Sequence, residues 1–334
     1  MGVHKSINGC PQIAARPLQF PKSLFSTEVI ITCKMRRKYF AVLRFGYIMK
    51  IPRLLGADLW LLLITLIWGC SFVIVKKSLA QVSPILFIAL RFWVGAIVVT
   101  AVVPGALRNI SFKTLKRGLV LSVFLLGGFV FQTIGLRGTT SSRSAFITSL
   151  AVLLVPTLGY FIFGHRPRWR TVVGVILATI GLAMLTLNSL PMRFTYGDGL
   201  TFMCAIVFAL HILFIGRYLP ESDYRQLAIV QLTGGALLCT LTFILLETPF
   251  LVPDMTFGIY LFITGVLATG VAFYFQIKAQ QVTTPNRTAL IFSLEPFIAA
   301  LVAYLVLGET LTTKGWAGGL FVVAGILISE FRRK

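Results

Sequence analysis

Apolar stretches of about 20 residues recur from residue 57 to residue 330, separated by short polar or basic connections. As a helix, each is long enough to cross a hydrocarbon core of about 30 Å. The pattern predicts helices over 57–76, 84–104, 118–137, 143–164, 171–188, 197–217, 226–246, 257–278, 287–308 and 313–330. The fifth and tenth are the shortest, so the count of ten carries a tolerance of about one. The expected fold class is an all-α membrane protein with ten transmembrane helices.

The pattern is written twice. Arg143–Leu150 reads R-S-A-F-I-T-S-L and Arg287–Leu294 reads R-T-A-L-I-F-S-L, five identities in eight positions at an offset of 144. The same offset pairs Gln132 with Gln276, Thr140 with Thr284, Gly164 with Gly308, Gly174 with Gly318 and Gly181 with Gly325. Asp58 and Asp198 stand 140 apart, each expected to cap the start of a helix. A longer connection around Glu247–Thr256 accounts for the four-residue difference. The expected organisation is a basic cytoplasmic extension over 1–56, a first repeat over 57–190 and a second over 197–331. Five helices per copy is an odd number, so the copies enter the membrane in opposite directions. Such inverted repeats point to transport, because they create a site between the halves that can open to either side.

Composition sharpens this. The chain is 57% hydrophobic and only 12% charged, against about 25% charged in soluble domains. Its net charge of +21 could suggest a nucleic-acid partner, but the distribution argues otherwise. With the N-terminus in the cytoplasm, 24 of the 31 Lys/Arg fall in cytoplasmic segments and 6 in outer loops, Arg91 lying within a helix. That asymmetry sets topology and meets anionic lipid. Both termini are therefore expected in the cytoplasm, and no nucleic acid is expected as a partner.

Residues 1–48 are basic, carry one acid (Glu28) and lack an uninterrupted apolar span. They read as an over-called start or a dispensable tail, with a transit peptide or Met1-Gly2 myristoylation as alternatives. Cys10, Cys33, Cys70, Cys204 and Cys239 are scattered and lack C-x-x-C spacing. Neither a metal nor a cofactor is expected.

Leu59–Val75, with L-I-W-G-C-S-F inside it, resembles the first helix of the EamA family in the drug/metabolite transporter superfamily. So does Ser293–Glu309, S-L-E-P-F-I-A-A-L-V-A-Y-L-V-L-G-E, which is followed by Gly315, Gly318, Gly319 and Gly325. The first repeat carries the matching block Ser149–Gly164. The resemblance covers roughly residues 53–331 and implies ten helices, cytoplasmic termini, and movement of small metabolites. One departure is that an acid usual in the family after the glycine closing the fourth helix is here His165, whereas the second copy keeps Glu309.

The candidate binding or coupling residues are polar or aromatic positions inside predicted helices. Glu295 is the one acid well inside a helix and precedes Pro296. A mid-membrane carboxylate costs about 2.5–3.5 kcal/mol on insertion scales, so it should face a cavity or a partner. Binding a cation or carrying a proton competes with a purely structural ion pair. Arg91 either snorkels, pairs with Glu295 or meets an anionic solute. His211, matching Ser71 in the first copy, could relay protons or be a satisfied core histidine. Gln132 and Gln276 are repeat-related hydrogen-bonding groups that could touch solute or glue helices. Trp68 and Tyr274 are aromatic wall candidates, with packing against lipid as the plainer alternative. Arg143 and Arg287 are expected to anchor helix starts at opposite membrane surfaces.

The leading expectation is a secondary transporter, an exporter, of small organic metabolites or drugs across the plasma (bacterial inner) membrane. It would act by alternating access, with a proton or another ion as the open choice of driving force. A channel or a flippase for lipid-linked substrates is the alternative. An enzyme is disfavoured, because neither H-E-x-x-H nor G-x-S-x-G occurs and the histidines His4, His165 and His211 are scattered. Absence of G-x-x-x-x-G-K-[ST] disfavours nucleotide-driven transport. Monomer and homodimer are both compatible with the sequence.

Overall fold

A computed structural model describes residues 53–186, 194–252, 254–307 and 313–330. The expectations for residues 1–48 and for Glu309 fall outside them. The described residues form α1 (Arg53–Ser78), α2 (Pro84–Val102), α3 (Phe112–Gly138), α4 (Ser141–Ser149), α5 (Ala151–Phe163), α6 (Trp169–Thr186) and α7 (Tyr196–Tyr218). They continue with α8 (Tyr224–Leu246), α9 (Met255–Phe262), α10 (Ala272–Gln280), α11 (Pro285–Phe292), α12 (Glu295–Leu307) and α13 (Thr313–Glu330). A π-helical stretch, Ile263–Val271, joins α9 to α10. No strand occurs among the described residues.

Seven continuous helical stretches among them are long and apolar enough to cross a membrane. α6 and α13 hold shorter apolar segments, Trp169–Met184 and Thr313–Ser329. Hydropathy marked the apolar centres; polar chemistry sets the ends. α3 starts six residues before the predicted 118, because Ser111 caps it by accepting from Thr114 N at 3.1 Å. Lys113 and Arg117 in its first turns reach Glu221 instead of lipid. Much large apolar surface faces outward, Phe112, Phe161, Trp169 and Leu245 being each more than two-thirds exposed, as a lipid-facing exterior requires.

The fourth and ninth predicted helices are each broken once, at repeat-related places. α4 gives way to α5 at Leu150, and α11 to α12 across Ser293 and Leu294. In the second copy Pro296 has no N–H to donate to the carbonyl of Phe292, so the rod is interrupted there.

The two copies also differ in length at one place. The N-caps of α2 and α8, Ser83 and Asp223, are 140 apart; those of α3 and α9, Ser111 and Asp254, are 143 apart. Gln132 and Gln276 are 144 apart. Three of the four extra residues therefore precede α9, and the fourth falls within the stretch that winds as a π-helix. A π-turn is how a helix absorbs one additional residue. The longer connection before α9 has its own task. Glu247 accepts hydrogen bonds from Ile85 N and Leu86 N at 3.1 and 3.0 Å, filling the N-terminus of α2.

Helix contacts are reciprocal between the copies. α3 packs on α7 as α1 packs on α10, and α2 meets α8 and α6 meets α13. On α6 and α13 a Cβ at Gly174 would lie 2.5 Å from the carbonyl oxygen of Gly325, and one at Gly181 would lie 2.5 Å from that of Gly318. Gly174 is the repeat partner of Gly318, and Gly181 of Gly325. Each glycine therefore meets the partner of the other, as a two-fold relation between antiparallel helices demands. Only hydrogen fits between these backbones.

Candidate functional site

The central cavity, about 70 Å³, lies among α1, α2, α3, the breaks of both interrupted rods, α7 and α10. That is several times the ~10–15 Å³ that admits one water. Seven of the eight candidates from the sequence line it: Trp68, Ser71, Arg91, Gln132, His211, Gln276 and Glu295. Tyr274 does not. Its ring packs on Phe275 and Tyr224, with its hydroxyl 3.5 Å from that of Tyr224.

Glu295 opens α12 just past the break and is buried. Among the described residues its carboxylate takes no hydrogen bond and no ion pair, and the positive end of a short helix is its nearest compensation. A glycine makes this placement possible. A Cβ at Gly69, beside Trp68, would sit 3.1 Å from the Glu295 carbonyl oxygen, so α1 lies directly against the α12 backbone.

Arg91 is 2% exposed. It neither snorkels nor pairs with Glu295, which corrects both expectations. Nη2 donates to Thr269 Oγ1 at 3.2 Å, and the guanidinium stands 4.7 Å from the centre of the Phe129 ring and 5.6 Å from that of Phe87. Aromatic faces stabilise a desolvated cation by about 2 kcal/mol or more. Its Nε has no partner among the described residues. Thr269 lies in the π-helical stretch, as does Ala268, whose carbonyl accepts from Trp68 Nε1 at 2.9 Å. The irregular turn thus orients both residues.

His211 Nε2 is 3.0 Å from Gln231 Oε1, and its ring meets Phe273 edge-on. In the first copy the equivalents of this pair are Ser71 and Arg91. Ser71 donates to the carbonyl of Trp68 at 2.9 Å. Gln276 Nε2 reaches Gln280 Oε1 at 3.4 Å while its own Oε1 has no partner among the described residues. Thr148 Oγ1, Ser149 Oγ and Gln231 Nε2 are also buried without hydrogen-bond partners among the described residues. An unsatisfied buried polar atom costs about 1–3 kcal/mol. Four of these atoms, Arg91 Nε, Gln276 Oε1, Thr148 Oγ1 and Ser149 Oγ, belong to residues of the lining, and a polar solute or water would satisfy them. Trp68, Phe129, Phe208, Phe273 and Phe292 supply the apolar wall.

Thr148 escaped the sequence reading because its repeat partner is Phe292, so the duplication did not mark it. The phenylalanines escaped because nothing distinguishes them from the other apolar positions of their helices.

At the helix starts the expected cap by Asp58 is corrected, the cap by Asp198 is present, and Arg143 and Arg287 have carboxylate partners. Asp58 lies inside α1, beyond its first turn, and pairs bidentately with Arg287 through Nε and Nη2. Asp198 does cap α7, within a capping box with Thr195. It also pairs with Arg143 at 2.7 Å. The helix-start arginines hold carboxylates of the opposite copy.

The EamA-like transporter family model matches residues 55–187 and 195–331. An uncharacterized transporter of Archaeoglobus fulgidus is 32% identical over 83% of this chain and 87% of its own length. Probable amino-acid metabolite efflux pumps of Salmonella typhimurium and Escherichia coli are 26% and 25% identical, each over 81% of this chain and 93% of their own length. A crystal structure of a protein 20% identical superimposes with a TM-score of 0.69 over 82% of this chain and 96% of that one, a likeness of fold. Together with the apolar helices, these matches make the chain an integral membrane transporter, not an enzyme, that belongs to the EamA-like transporter family.

Proposed function

We propose that the chain is a secondary transporter that exports small organic metabolites or drugs across the plasma membrane by alternating access. Ten crossings in two inverted five-helix repeats, spanning 57–190 and 197–331, leave both termini in the cytoplasm in this reading. The basic segment over 1–56 adds cytoplasmic charge toward anionic lipid. The observation that carries the reading is the cavity. Both copies contribute to it, both broken rods end at it, and it gathers a carboxylate, a guanidinium and, among the described residues, an unpartnered amide oxygen and two unpartnered hydroxyls. Interrupted helices facing a buried site suit solute transport better than an open pore. The relatives described as amino-acid metabolite efflux pumps make amino acids and their derivatives the first solutes to test.

Purified protein in liposomes should move such a solute down its gradient, and an imposed proton gradient should drive accumulation if the proton is the coupling ion. A comparison of metabolites inside and outside cells, with and without the gene, widens the search. No solute movement by folded protein across a broad panel would overturn the reading.

Arg91→Lys should weaken transport chiefly through KM. The ammonium keeps the charge but loses the planar stacking on Phe129. A loss of about 1–2 kcal/mol corresponds to a KM raised roughly 5- to 30-fold. Initial rates across a concentration series measure it. A KM equal to that of the parent would place Arg91 among packing residues.

A further inference from the structure

We propose that the two ion pairs joining the copies, Asp198–Arg143 and Asp58–Arg287, are the opposing gates of the transport cycle, one released at a time; this rests on the transporter reading above. Each pair crosses between copies, and the pairs are repeat-related, aspartate to aspartate and arginine to arginine. In the inverted topology the first lies at the outer face and the second at the cytoplasmic face.

The arginines stand in an unfavourable place unless the aspartates are considered. Thr140 and Thr284 cap α4 and α11 by accepting from the backbone N of Arg143 and Arg287, at 3.2 and 3.3 Å. Each arginine therefore lies in the first turn of its helix, where the macrodipole disfavours a cation. A cation written into the same unfavourable position of both copies calls for a compensating anion. The partner aspartate supplies it from α7 in one case and α1 in the other. Both arginines begin the half-helices that end at the central cavity, so the tie acts on the segments that line the site.

Charge suits a gate better than an apolar plug would. While the face is closed the pair is shielded from water and strong, and removing one partner strands the other. Once water enters, both ions are hydrated and the attraction falls to that of a surface pair. Opening and hydration thus reinforce each other.

The two pairs are unequally built. Asp198 is fully buried and also accepts from Thr139 Oγ1 and Thr195 N, both at 2.7 Å. Thr139 in turn accepts at its carbonyl from Lys76 Nζ at 2.6 Å, which adds α1 to the outer network. Among the described residues, Asp58 takes hydrogen bonds from Arg287 alone, and its side chain is 12% exposed. The outer gate is the firmer, so the cytoplasmic gate opens more often in the absence of solute.

Side-specific labelling tests this. The five native cysteines are replaced by alanine and Ala151→Cys, on the cavity wall, is labelled with an impermeant maleimide. Reagent is added to intact cells for the outer face and to inverted vesicles for the inner. Asp198→Asn should speed labelling from outside at least about tenfold and leave the inner rate unchanged or lower. Asp58→Asn should do the reverse, and Asp58→Arg with Arg287→Asp should restore slow labelling. If Asp198→Asn fails to fold, the shallower Asp58–Arg287 pair carries the test alone. Labelling that changes equally from both faces, or not at all, in folded protein overturns the proposal. The readout needs no solute. Side-specific labelling without transport would keep the gates and remove the transporter; transport with side-blind labelling would do the opposite.

Discussion

Glu295→Gln should give a protein at least as stable as the parent that moves solute at least about 100-fold more slowly, a loss on the order of 3 kcal/mol. The two halves of this expectation have one cause. In the closed protein the carboxylate is buried and, among the described residues, has neither an ion pair nor a hydrogen bond. Retaining it works against folding, and a neutral amide of nearly the same shape removes that burden. Residues that lower stability while serving function are the usual form of the stability–activity trade-off. A purely structural acid would behave in the opposite sense: glutamine would lower the melting temperature and leave transport intact. Thermal unfolding in detergent and initial rates in liposomes, measured on the same preparation, separate the two. Unchanged transport by a well-folded Glu295→Gln protein would remove Glu295 from the site.

The second large effect falls where no solute reaches. Gly174→Val and Gly325→Val should each destabilise the protein by about 2–3 kcal/mol, the range for overpacking a close contact. Even one carbon at either position would meet a backbone oxygen at 2.5 Å, which cannot rotate away as a side chain does. α6 and α13 would have to separate along their length. The double variant should cost clearly less than the sum, because helices parted by the first valine leave room for the second. Gly258→Ala is the control. No atom of the described residues lies within 4 Å of its Cβ position, so the change should be neutral or should stabilise α9 by up to about 1 kcal/mol. Chemical denaturation in mild detergent measures all four. Additive losses would mean that the two glycines act at separate contacts.

The scaffold was legible because it is encoded by repetition. The R-x-A-x-I-x-S-L segments, the paired glutamines and the glycines of the fifth and tenth helices announced duplication, and the family model matches the chain twice, at 55–187 and 195–331. The site was partly legible for a physical reason: a polar or charged residue inside an apolar run must face something, and for Glu295, Arg91, His211 and the two glutamines that something is one cavity. Identity of the partner was not legible. Asp58 and Arg287 are 229 positions apart, and each taken alone reads as a cap or an anchor. Nothing in the order of residues says that an aspartate of one copy answers an arginine of the other. The surroundings of Arg91 were hidden for a different reason. They depend on the turn at Ile263–Val271, and composition does not distinguish a π-turn from ordinary helix.

That turn also speaks about ancestry. The two copies differ by one residue between N-cap and glutamine, and the difference sits in the helix where Ala268 and Thr269 receive Trp68 and Arg91. One additional residue, absorbed within one helix, accompanies an anchoring point for Trp68 and Arg91 in one half of the protein. The departure from symmetry at this site therefore involves a difference in length as well as in residue type. A lineage in which the two halves are still of equal length here should also lack the buried arginine's threonine partner.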